Sequence, residues 1–124
     1  MGVGLMPRLL VCLAGLSGAL GVSLSALAAH YPGGASLGTA GTFLLVHGAA
    51  FLGLALLDER SMMSGLGLRL VAIGWIVGLT LFCGDLAARI FLGFRLFPGA
   101  APTGGIMLIS AWLGLLVTAL LPRR

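Results

Sequence analysis

Charge is what this chain has least of. Asp58, Glu59 and Asp85 are its only acids, seven arginines are its only fixed cations, and lysine is absent. At 8% charged residues it falls far below the roughly 25% usual for soluble domains. The arginines are scattered, and no basic patch interleaved with aromatics exists to hold nucleic acid. Cysteine is nearly as scarce. Cys12 and Cys83 form no CxxC pair and lie in apolar runs, which excludes the usual zinc and thiol-redox motifs. P-loop, dinucleotide-fingerprint, HExxH and nucleophile-elbow patterns are missing in the contexts they need.

What fills the sequence instead is apolar: 60% hydrophobic residues and a mean hydropathy of +1.19. Four apolar runs stand out, about 9–29, 39–57, 66–86 and 104–121. As helices of roughly 18 to 21 residues they reach roughly 27 to 32 Å, enough for a ~30 Å hydrocarbon core. Short first and second connections force neighbouring helices to be antiparallel. The expected fold is an all-α integral membrane protein, a single four-helix domain over 1–124 in a compact up-down bundle.

The breaks carry their own chemistry. Tyr31-Pro32-Gly33-Gly34 cannot continue a helix, and Thr39 or Ser36 is placed to cap the second one. Asp58 and Glu59 would oppose a helix dipole at its C-terminus, so the second helix is expected to end before them. Pro98, Gly99 and Pro102 precede the last helix, which Thr103 or a neighbour would start.

Small residues recur at four-three spacing in the first run, as Ala14, Gly18, Gly21, Ser25 and Ala28. On a helix they form one smooth face where another backbone can approach closely. The third run repeats the rhythm with Gly67, Val71, Gly74, Gly78, Leu81 and Asp85, and the fourth with Met107, Ala111, Gly114 and Thr118. The second offers Gly41, Gly48 and Ala55 a heptad apart, with Ala49 and Gly53 as a further small pair. Gly18, Gly21, Ser25, Gly74, Gly78 and Gly114 are therefore the expected helix-packing positions.

Orientation follows from arginine. Arg8, Arg60, Arg69, Arg123 and Arg124 fall at the termini and second connection, against Arg89 and Arg95 in the third, which favours cytoplasmic termini. Cys12 and Cys83 then lie near opposite faces and should be unbridged, since a disulfide needs Cα atoms about 5.5 Å apart. Arg8, an apolar run and Ala26-Leu27-Ala28 also fit a cleavable secretory signal. The small-residue face, which a discarded segment would not need, favours a retained span.

Inside the runs only His47 and Asp85 ionise near neutral pH, and such residues are functional candidates by default. His47 is expected about 12 Å into its helix from the outer end. Asp85 is expected near the outer interface, with Arg89 one turn on. With His30 just past the first helix, His30, His47, Asp85 and Arg89 make the one candidate polar cluster. The plainer readings are an orienting ion pair for Asp85 and Arg89, and for His47 a hydrogen bond to a neighbouring helix. A bis-histidine haem site lacks a second histidine at the depth of His47. No catalytic residue, metal ligand or cofactor is expected. Trp75 and Trp112 are mid-span and expected to pack; Phe91, Phe94 and Phe97 with Arg89 and Arg95 suit the headgroup level.

Gly18-Ala19-Leu20-Gly21-Val22, Ala28-Ala29-His30, Thr39-Ala40 with Phe43 and His47, Phe82-Cys83-Gly84 and Pro102-Thr103-Gly104-Gly105 stand in an order that resembles domain-of-unknown-function family 423. That family includes proteins similar to transmembrane protein 256. The resemblance implies a small bacterial inner-membrane protein with about four spans and no established activity. Leu44 stands where the family tends to have Gln, and Asp85 and Ala87 where Ser and Tyr are usual, so no site is carried over.

The expected function is non-enzymatic: an integral membrane protein that packs as a homo-oligomer or as an accessory subunit of a larger membrane complex. Its partners would be the lipid bilayer and other membrane subunits or itself. The alternative is a small transporter or channel using His47 and Asp85 as a proton or ion relay.

Overall fold

A computed structural model describes residues 2–123; Arg124, one of the arginines used for orientation, lies outside the described residues. Four α-helices follow one another: α1 (Leu5–Leu27), α2 (Gly34–Glu59), α3 (Gly65–Phe91) and α4 (Ala100–Leu120). All four are long and apolar enough to cross a membrane, and no strand occurs among the described residues. At ~1.5 Å per residue they reach roughly 32 to 41 Å, so α2 and α3 outlast a ~30 Å core and must tilt or protrude.

The sequence placed the helices correctly but most ends differ, for reasons of capping. α2 starts at Gly34, ahead of Thr39 and Ser36, so neither is its cap. Gly33 takes that position at φ 75°, and the donors of Gly34 and Ser36 go to the carbonyls of Tyr31 and Gly33. Gly34 also lies so close to the Ala28 carbonyl that no Cβ fits there. Thr39 turns its hydroxyl back to the Ala35 carbonyl instead. α2 does not stop before its acids but runs through Glu59. Ser61 in the left-handed region (φ 49°) lets its N–H reach the Asp58 carbonyl and that of Met62 the Leu57 carbonyl, which satisfies the last turn. Glu59 meanwhile accepts the Gly4 N–H at 3.3 Å, placing a carboxylate at the start of α1.

α3 is capped by the Ser64 hydroxyl, which accepts from Gly67, and continues five residues past the expected end to Phe91. α4 begins at Ala100 rather than Thr103 because Gly99 at φ 84° turns the chain and Pro102 is tolerated in the first turn.

The antiparallel order can be read from glycine contacts. A Cβ on Gly48 would sit 3.3 Å from the Ala14 carbonyl and the Gly18 nitrogen, and one on Gly21 2.9 Å from the Gly41 carbonyl. Ser25 lies against Gly41, and Gly4 against Glu59. In the second hairpin Gly67 meets Thr118, Gly74 meets Ala111, Gly78 meets Leu108, and Gly104 meets the backbone of Gly78 and Phe82. Between the hairpins α2 and α3 pack through larger side chains: Phe43 on Phe82 at 4.7 Å, Phe51 on Trp75 at 5.5 Å, and the Cys83 thiol donating to the Ala40 carbonyl at 3.5 Å.

Not every small residue is used in this way. The expected Ala49–Gly53 pair is exposed, and a Cβ on Gly53 would meet nothing within 4 Å. A Cβ on Gly114 would touch only Val71, at 3.8 Å, so Gly104 rather than Gly114 is the tight glycine of α4. Cys12 and Cys83 are free, as expected. Over an apolar 18-residue stretch of each helix, 44% of α2 and 39% of α3 is buried, against 22% of α1 and 17% of α4. The first and last helices therefore turn most of their surface to lipid.

Gly41→Val should separate α1 from α2, because its Cβ would overlap Ser25 and come within 2.8 Å of the Gly21 carbonyl. Overpacking of this kind costs about 1 to 3 kcal/mol. Gly53→Val, at an open position, should leave unfolding in detergent unchanged; equal losses for the two variants would contradict the assignment.

Candidate functional site

The polar groups that the sequence offers as a site are gathered at two levels rather than one. At the end of α3, Asp85 is fully buried, a heptad beyond Gly78, which faces α4. Its Oδ2 accepts from Arg89 Nη2 at 2.5 Å, one helical turn on, and its Oδ1 accepts from the backbone N–H of Leu96 at 2.9 Å. A carboxylate in this setting needs donors on both oxygens, and it has them. Leu96 therefore lies at the depth of Asp85, six residues back along α3 from Phe91. The connection folds down again, carrying Phe94, Leu96 and Phe97 exposed on its surface. Around it Tyr31 packs edge-on against Phe91 at 5.2 Å, which ties the first connection to the end of α3.

The second level is the middle of the bundle. Because α2 begins at Gly34, His47 is thirteen residues in and at the midpoint of its helix, deeper than expected. It is 2% exposed. Trp112 of α4 donates its indole N–H to His47 Nε2 at 3.1 Å, and His47 Nδ1 lies 2.7 Å from the Phe43 carbonyl. An indole nitrogen can only donate, so Nε2 carries no proton; Nδ1 must then hold the ring's proton and give it to Phe43. His47 is thus a neutral ring with both nitrogens occupied. Around it Trp75 lies edge-on at 5.5 Å, Phe43 is parallel at 6.3 Å, and Trp75 and Trp112 meet at 4.6 Å.

The expected four-residue cluster accordingly divides. Asp85 pairs with Arg89, as anticipated, and His47 bonds a neighbouring helix. His30 is exposed in the first connection, and among the described hydrogen bonds it joins neither group. Two donors were missed: Trp112, for which the signal was a mid-span indole needing an acceptor, and the Leu96 backbone, for which sequence gives no signal. Hydroxyls inside the helices are quiet. Ser23, Thr42, Thr80 and Thr118 each return a bond to the carbonyl four residues back. Trp75 Nε1 and Arg89 Nε are buried side-chain nitrogens without a partner among the described residues. No group of three or more metal-binding side chains occurs among those residues.

Asp85→Asn should keep the Leu96 bond through its one amide oxygen and lose the ion pair with the part-exposed Arg89, since its amide nitrogen can only donate, a cost of about 1 to 3 kcal/mol. Asp85→Leu loses the Leu96 bond as well and leaves that backbone N–H without its acceptor, a further loss of about 1 to 3 kcal/mol. Limited trypsin cleavage after Arg95 reads the difference: fast cutting in the leucine variant alone is expected, and equal rates would contradict the pinning role.

Comparison with known proteins adds one match. A family model described as "Protein of unknown function (DUF423)" matches residues 17–105, a stretch that holds His47, Trp75, Asp85 and Arg89 but not Trp112. No curated protein and no solved structure matches the chain. The match spans well over half of the sequence, from within α1 to within α4: the chain belongs to this family.

Proposed function

We propose that this protein is a non-enzymatic packing component of the bacterial inner membrane, both termini cytoplasmic, acting as a homo-oligomer or as an accessory subunit of a larger membrane complex. The observation that carries this reading is where its polar chemistry goes. Both nitrogens of His47 and both oxygens of Asp85 are engaged within the chain, so neither is presented to a substrate. Meanwhile α1 and α4 leave most of their apolar length uncovered, and α1 carries a second small-residue face, Gly15, Ala19 and Ser23, turned outward. Helices associate in lipid through such faces. Orientation rests on the arginine excess at the termini and second connection.

A proton or ion relay through His47 and Asp85 fits less well, because the two sit at different levels and share no hydrogen bond among the described residues. Extraction in a mild detergent should give a particle heavier than the monomer, through self-association or one stoichiometric partner. A lone monomer would overturn the reading, as would a proteoliposome ion flux that His47→Ala abolishes.

A further inference from the structure

Helices α1, α2 and α3 enclose an open trough of about 400 Å³. One wall is Leu13, Leu16, Leu20 and Leu24 of α1, and the floor is Leu44 and Phe51 of α2, a heptad apart. Ile76, Thr80, Cys83 and Ala87 of α3 form the other wall, again at four-three spacing. Ile76 and Thr80 stand two residues either side of Gly78, roughly 200° round the helix from it, so the trough opens on the side of α3 away from α4. Spacing of this kind is what receives the knobs of one more helix.

Such a seam exists on the same chain. Ile106, Ile109, Leu113, Leu116 and Leu120 follow a three-four-three-four rhythm along α4 and are 56% to 76% exposed. Leu113 lies two residues from Ala111, and Leu116 and Leu120 two from Thr118, both of which face α3. The seam therefore points away from its own bundle.

We propose that the trough between α1 and α3 receives this α4 seam from a second copy of the chain. The inference rests on the packing reading above and names its partner. Three features match seam to trough. The first is sense: copies in one membrane share orientation, so an incoming α4 runs parallel to α2 and antiparallel to both walls, completing an alternating four-helix packing. The second is depth. The Trp112–His47 bond fixes α4 against α2, and a Cβ on Gly48 touches Ala14 and Gly18, so Leu113 and Leu16 lie at one level. The third is charge. Arg123 stands just past the end of α4, and Asp58 and Glu59 in the last turn of the parallel α2, so Arg123 of the second copy arrives at the same face of the membrane as Asp58 and Glu59. The one ion pair among the described residues is Arg89–Asp85, which leaves these acids without an arginine of their own there. Because trough and seam lie on opposite sides of α3, the contact is heterologous, and it builds rings or rows rather than two-fold dimers.

The test is disulfide formation in native membranes, in a Cys12→Ser, Cys83→Ser background. Leu16 and Leu113 are both more than half exposed, so cysteine at either leaves the bundle intact. When copies carrying Leu16→Cys and Leu113→Cys are co-expressed, oxidation should give a dimer that neither gives alone. Both substitutions in one chain should give a ladder of trimers and larger species. Cross-linking by Leu113→Cys alone, or by Leu16→Cys alone, would overturn the proposal. So would free labelling of Leu16→Cys by a lipid-soluble maleimide without cross-linking, the sign of a lipid-filled trough. Single-molecule photobleaching separates the two claims. Several steps without the Leu16–Leu113 link remove this inference and leave the packing reading, whereas single steps and no bound partner remove both.

Discussion

A leucine gains nothing by leaving lipid for the side of another helix, so burial of apolar area cannot hold these four helices together. What remains is contact distance. Gly21, Gly41, Gly48, Gly67, Gly74, Gly78 and Gly104 each stand where an added Cβ would press on a neighbouring helix. Removing side chains at these points brings backbones close enough for dispersion to act along the whole hairpin. The two hairpins are built in this way, and their junction is not. Between α2 and α3 the fit is made by Phe43, Phe51, Trp75 and Phe82, rings that meet at 4.7 to 5.5 Å.

The polar links lie where that second kind of packing leaves room. Trp112 and His47 join α4 to α2 across the mid-plane, and Asp85 holds both the side chain of its own helix and the backbone of the following connection. The first is a hydrogen bond made in the middle of the bundle, where water cannot substitute for it. The Trp112–His47 bond fixes which way the second hairpin leans on the first, and Asp85, through Leu96, sets the level at which the aromatic connection meets the headgroups.

How much of this could be read beforehand depended on how local the cause was. Helix number, order and the inward face of Asp85 follow from periodicity, which the sequence displays directly. The Arg89 partner follows too, because four residues along a helix needs no tertiary information. Helix ends were misjudged where backbone conformation decided them: Gly33 and Gly99 at positive φ replaced the expected side-chain caps, and Ser61 allowed α2 to keep its acids. The cluster of His30, His47, Asp85 and Arg89 was inferred from a helix start five residues too late, which raised His47 toward the surface on paper. Trp112 as its partner depends on how α4 lies against α2, a relation no single helix encodes.

The central claim is that His47 and Asp85 are tied off inside the fold. Solid-state NMR of bilayer-embedded protein labelled with ¹⁵N at histidine and tryptophan reads it most directly. At neutral pH the account expects His47 with its proton on Nδ1, an unprotonated Nε2, and magnetisation transfer from the Trp112 indole N–H to that Nε2. A ring protonated at Nε2, or one exchanging its proton with water, would contradict it.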